Sequence, residues 1–209
     1  SLVGSEMCIR DRYIYGKTQH IDIREHGSGN AGTTNTLRTL GFKAGAITFA
    51  GDCGKAILAI FISWLIFHAQ YPEGIKLLGM YAGLGAVLGH NYPFYMKFKG
   101  GKGIACTGGL LIGFCPLAVP ISLGIFILVV AITRYVSLGS ILGVISLEIQ
   151  IIVFGQMGLL SVPEQYLTEV YIVFGFVAGL AIILHHANIG RLLKGTENKF
   201  SFHSKKQEA

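Results

Sequence analysis

From Ala44 to Leu184 the chain is a succession of apolar runs separated by short polar breaks, and several approach the about 20 residues that a helix needs to cross a bilayer core. Backbone polar groups inside lipid must be satisfied within the segment, so these runs are read as transmembrane helices. The composition agrees, with 52% hydrophobic and 13% charged residues among 209. The expected fold class is therefore an all-α, polytopic integral membrane protein.

The runs are legible individually. Ala44 to Phe67 is long enough to span and carries Asp52 and Lys55, three residues apart and so on one helix face. Such charges at membrane depth either mark a functional interior or form a structural pair between helices. After the turn His68 to Gly74, a shorter run from Lys76 to Gly89 holds Gly79, Gly83, Gly85 and Gly89, which suit close helix packing in lipid. Ile104 to Thr133 is too long for one crossing, and Phe114-Cys115-Pro116 divides it into two helices. Ile141 to Phe154, with Glu148 inside, and Tyr166 to Leu184 complete six crossings.

Six crossings put three polar, glycine-rich stretches on one side of the membrane: residues 26–38, 89–103 and 185–199. Arg24, Arg38, Lys43, Lys97, Lys99, Lys102, Arg134, Arg191, Lys194 and Lys199 fall on that side, against Lys76 on the other. By the positive-inside rule the first side is cytoplasmic. The net charge of +6 is thereby explained by orientation, and no nucleic-acid partner is implied. Cys8, Cys53, Cys106 and Cys115 lack ligand spacing and read as small apolar residues, so no metal is expected.

The stretches share one chemistry. His26 to Arg38 reads H-G-S-G-N-A-G-T-T-N-T-L-R, in which Gly27, Gly29 and Gly32 let backbone amides approach an anion. Thr33, Thr34 or Asn35 is expected to cap a short helix, with Arg38 about one turn inside it and able to grip a phosphate. The second stretch adds Lys97, Lys99, Lys102 and the amides of Gly100, Gly101 and Gly103. The third adds His185 and Asn188, on one face if the last helix continues. The H-x-x-x-x-D arrangement of histidine–aspartate acyltransferases is missing, since Ala31, Tyr95 and Gly190 occupy that place after His26, His90 and His185.

Residues 27–38, the Asp52 and Lys55 pair, His90 to Pro93 with Gly100-Gly101-Lys102-Gly103, and His185-x-x-Asn188 through Arg191, Glu197 and Lys199 together resemble the signature loops of the PlsY family. These are the bacterial acyl-phosphate:glycerol-3-phosphate acyltransferases. The resemblance runs from about Asp22 to Lys199. It implies an enzyme that moves an acyl group from acyl phosphate to the 1-hydroxyl of glycerol-3-phosphate, giving lysophosphatidate and phosphate. It implies no cofactor, a bacterial inner-membrane location, and an upstream acyltransferase that makes the acyl phosphate.

Carried over by position, Ser28, Arg38, Lys102, His185 and Asn188 are implied to be catalytic. Gly27, Gly29, Asn30, Asn35, Gly100, Gly101 and Gly103 join them in binding substrate, while Asp52, Lys55 and Glu197 are structural. Thr33, Cys106 and Ala56 are small departures from the family pattern.

The family fold has seven helices, and the first is expected to be missing here: residues 1–12 read as foreign or disordered, with Tyr13 to Gly16 the tail of a lost helix. Residues 13–200 form one acyltransferase domain and residues 201–209 a polar tail. A transporter of organic phosphates is the competing class, and it predicts polar stretches at mid-membrane and paired halves.

Overall fold

The computed structural model describes Asn30 and residues 32–200, and every structural statement below concerns these residues. The expectations for residues 1–12, Tyr13 to Gly16, Gly27, Ser28, Gly29 and 201–209 lie outside them.

The described residues form eight α-helices and no strand. They are α1 (Thr33–Leu40), α2 (Phe42–Phe67), α3 (Ile75–Asn91), α4 (Ile104–Phe114), α5 (Val119–Thr133), α6 (Val136–Gln156), α7 (Leu167–Leu184) and α8 (His186–Leu193). Helices α2 to α7 occupy the six apolar runs. Four segments have the length and composition to cross a membrane: Phe42–Phe67, Pro116–Thr133, Val136–Gln156 and Glu164–Leu184. The protein is an all-α, polytopic integral membrane protein.

The break predicted at proline is present. α4 ends at Phe114, and Pro116–Ala118 makes a single 3-10 turn into α5, because a proline inside a helix removes a donor and clashes with the preceding turn. One helix is longer than its run: expected over Ile141 to Phe154, α6 begins at Val136 and ends at Gln156.

The core joins α2, α3, α4, α6 and α7 through buried residues such as Ala56, Met80, Leu110, Ile151, Val170 and Phe174. Lipid gives apolar helices little reason to separate from it, so contact here rests on small residues that bring backbones together. A methyl at Gly109 of α4 would strike the backbone of Cys53 in α2, and the Cys53 thiol donates to the Ala105 carbonyl at 2.9 Å. Gly79 and Gly83 of α3 are used in the same way, against Ile60 and Leu110, whereas Gly85 faces open space. α5 buries no residue and presents Ile121, Leu123, Ile127, Leu128 and Ile132 outward, a lipid-facing helix.

At one end of the bundle, Lys76 Nζ reaches the Leu160 carbonyl at 2.6 Å and the Tyr81 hydroxyl donates to Glu169. The three polar stretches meet at the other end.

Candidate active site

The first polar stretch enters the site on α1. Gly32, not a threonine or asparagine, is its N-cap: the Asn35 and Thr36 amides donate to the Gly32 carbonyl at 3.1 and 3.0 Å. Asn35 is buried inside the helix. The expectation that Thr33, Thr34 or Asn35 caps α1 is thus corrected, because the turn closes one to three residues earlier. Arg38 falls in the last turn, and its Nη2 donates to the Asn198 carbonyl at 3.2 Å. Burial lowers its pKa, with Glu197 opposing and Arg191 reinforcing that effect.

The second stretch leaves α3 and folds back beneath it. The Gly100 amide donates to the Asn91 carbonyl at 3.0 Å and the Gly101 amide to the His90 carbonyl at 3.2 Å. A methyl on Gly100 would overlap the His90 carbonyl, and one on Gly101 would overlap the His90 ring. These two glycines were expected to offer exposed amides. The structure corrects this: their N–H groups are spent within the loop, and their lack of a side chain lets the chain lie against His90. Gly103, at φ 78° and the N-cap of α4, makes the left-handed turn that starts the helix at the cavity wall. Donors for an anion on this side are therefore the α4 N-terminus and Lys102.

The third stretch closes the site. The helix does not continue through His185: α7 stops at Leu184 and α8 starts at His186. His185 and Asn188 are nonetheless both buried and both line the same cavity. His185 Nδ1 lies 2.7 Å from the Ala181 carbonyl, which only accepts, so Nδ1 carries the proton and Nε2 is a bare acceptor. Burial, reinforced by the Lys102 charge, lowers its pKa to about 4, so the ring is neutral at pH 7.

Glu197 binds the stretches to one another. It accepts from Asn188 Nδ2 at 2.7 Å, from the Ser137 hydroxyl at 2.9 Å and from Arg191 Nε at 2.7 Å. Burial by itself would raise its pKa, but these three donors and the Arg191 charge prevail and hold it below the ordinary value. With its NH2 committed to Glu197, Asn188 turns its oxygen to Lys102 Nζ, which donates to it. Burial lowers the Lys102 pKa to about 8, Glu197 opposing and Arg191 adding to the shift.

The result is a cavity of about 350 Å3 with a mixed polar and apolar lining. Arg38, Lys102, His185 and Asn188 line it, with Asn30 and Thr33, whose buried side-chain oxygens lack a hydrogen-bond partner among the described residues. Phe49, Phe126, Val130 and Val136 add apolar surface to the same cavity. Such a lining suits an anionic group beside a greasy one.

Sequence reasoning missed three contributors. Ser137 and Ser140 line the cavity from α6; their place just after Arg134 was their only signal. His90 was quoted without a role, and it completes the Asp52 and Lys55 pair. Lys55 Nζ lies 3.0 Å from Asp52 Oδ1 and 2.6 Å from His90 Nδ1, and His90 Nδ1 lies 3.3 Å from Asp52 Oδ1. All three are buried, and Asp52 and His90 also line the cavity.

Comparison with known proteins agrees in kind. The profile of the family described as Glycerol-3-phosphate acyltransferase matches residues 3–195. A protein named glycerol-3-phosphate acyltransferase from Thermoanaerobacter sp. (strain X514) is 42% identical over 193 residues, 92% of this chain and 89% of the relative. Its counterpart of that name in Clostridioides difficile (strain 630) is 45% identical over 195 residues, covering 91% and 88%. The fold is similar to crystal structures of PlsY (YgiH), an integral membrane glycerol 3-phosphate acyltransferase. The glycerol 3-phosphate form gives a TM-score of 0.80 at 33% identity, covering 96% of this chain and 91% of that one. The lysophosphatidic acid form gives 0.78 at 33% identity, with 97% and 92% covered.

Proposed function

The chain belongs to the glycerol-3-phosphate acyltransferase family, and from that premise we propose that it acylates the 1-hydroxyl of sn-glycerol-3-phosphate with acyl phosphate as donor. The products are lysophosphatidate and inorganic phosphate. One observation carries the reading: Arg38, Lys102, His185 and Asn188, drawn from three distant stretches, line one cavity together with Phe49, Phe126, Val130 and Val136.

Acyl phosphate is a mixed anhydride and already activated, so the protein has mainly to bring two anions together and offset their repulsion. Lys102, Arg38 and the α4 N-terminus supply that positive field, and Ser28, which lies outside the described residues, joins them by its place in the motif. The acyl chain rests against Phe49, Phe126 and Val130. In the transfer, the O1 oxygen of glycerol-3-phosphate bonds to the acyl carbon, the bond from that carbon to the phosphate oxygen breaks, and the leaving phosphate takes the electron pair. The hydroxyl proton passes to a phosphate oxygen of the substrate. His185 Nε2 accepts a hydrogen bond from that hydroxyl and orients it, without the basicity to remove the proton at neutral pH.

The cavity opens to the cytoplasm of a bacterial inner membrane in this reading, because the Lys and Arg excess lies at that end. The donor must come from an enzyme that forms acyl phosphate. Glu197, Asp52 and Lys55 act structurally. Membranes containing the protein are expected to convert labelled glycerol-3-phosphate to lysophosphatidate with palmitoyl phosphate. Product formed only with palmitoyl-CoA would refute the donor and keep the acyltransferase.

A further inference from the structure

The loop between α3 and α4 carries a surface that neither the cavity nor helix packing uses. Tyr92, Phe94 and Phe98 are exposed, Phe98 by 64%, and Lys97 and Lys99 are exposed beside them. Among the described residues neither ammonium meets a carboxylate.

This presentation is built into the backbone. The Met96 and Phe98 amides both donate to the Pro93 carbonyl at 3.0 Å, Lys97 N to Phe94 O at 3.1 Å, and Lys99 N to Met96 O at 3.1 Å. Lys97 at φ 54° and Phe98 at φ 59° are both left-handed, a conformation that side-chain-bearing residues rarely adopt singly, and here two adopt it in succession. The turn sets a cation, an aromatic ring and a second cation outward in sequence. Its anchors are the ends of two bundle helices, so it stands at the depth where helices emerge from the hydrocarbon. Aromatic rings favour that layer, and lysines there favour anionic head groups. A soluble acidic partner would match the lysines but leave the rings without a use.

We propose that residues 92–99 dock on anionic phospholipid head groups of the leaflet surrounding the cavity mouth, the rings seated in the interface and Lys97 and Lys99 on the phosphates. Lys102 follows three residues after Lys99, so the lipid surface is held at a set distance from the cation lining the cavity.

Trp64 is the only tryptophan in the chain. In the full chain carrying Trp64→Phe and Phe98→Trp, reconstituted in vesicles, fluorescence reports what touches the loop. Brominated phosphatidylglycerol is expected to quench at least about two-fold more than brominated phosphatidylcholine at equal mole fraction, with the excess fading as salt rises. Lys97→Gln with Lys99→Gln is expected to abolish the excess, and Lys97→Arg with Lys99→Arg to retain it. Equal quenching by the two lipids, a salt-insensitive excess, or quenching by neither overturns the proposal, and these readings need no neutralised variant.

Discussion

Burial and one backbone hydrogen bond decide what His185 can do. Its Nδ1 proton is committed to Ala181, and its pKa, lowered to about 4 by burial, leaves a weakly basic Nε2. His185→Gln keeps a hydrogen-bonding side chain and is expected to lose less than the about 10²–10⁴-fold that accompanies loss of a general base. Its pH profile should match the parent above pH 5; an acid limb near pH 6 that vanishes in the variant would make His185 the base. Lys102 is shifted in the same direction but keeps its charge at neutral pH. Its pKa is depressed to about 8, so the free protein carries the cation below that pH and loses it above. Measured kcat/KM is expected to fall as pH climbs through 8, and Lys102→Arg, which stays protonated, should move that fall upward. A fall at the same pH in both proteins would assign it to another group.

Helix α2 carries Asp52 and Lys55 through the apolar interior, where the side chains are only 2% and 3% exposed and His90 of α3 completes the cluster. Removing one partner of such a pair leaves a buried charge uncompensated. Lys55→Met is therefore expected to cost about 3–5 kcal/mol in denaturant titrations of the detergent-solubilised protein. Asp52→Asn added to it should recover part of the loss, and a double variant worse than the single would show that the pair does not act as a unit. The loop above has no room beside this cluster. Gly101→Ala, meeting the His90 ring, is expected to cost about 1–3 kcal/mol by overpacking and to raise KM for the acyl donor. An unchanged KM would separate the loop from donor binding.

Across the whole molecule, the polar stretches share one end of the bundle, joined by Arg38 to Asn198, Lys102 to Asn188 and Phe200 N to Arg134 O at 2.7 Å. Clustering at one end is what the transporter reading did not predict. With Cys8→Ser, the remaining native thiols, Cys53, Cys106 and Cys115, are buried, so introduced cysteines report sidedness. In intact cells a membrane-impermeant thiol reagent is expected to modify Glu73→Cys and Gln165→Cys, and Lys97→Cys and Lys194→Cys only after the membrane is opened. Modification of both pairs from outside would end the common-face arrangement.

Some of this was readable from residues alone. Apolar length and the proline at 116 decided the helices and their break, because a bilayer demands about 20 residues per crossing and a proline cannot sit in mid-helix. Arg38, Lys102, His185 and Asn188 were legible because their motifs carry residue types suited to phosphate, whereas Glu197 was legible only through the family resemblance. Other features depended on neighbours distant in sequence. The Gly100 and Gly101 amides are spent on carbonyls that only the fold brings near, His90 joins Asp52 and Lys55 across two helices, and Ser137 finds Glu197 sixty positions away. Local sequence determined which segments are helical and which side chains could take an anion. Only the packing decided which donors stay free, because a hydrogen bond, once made inside the protein, is withdrawn from any ligand.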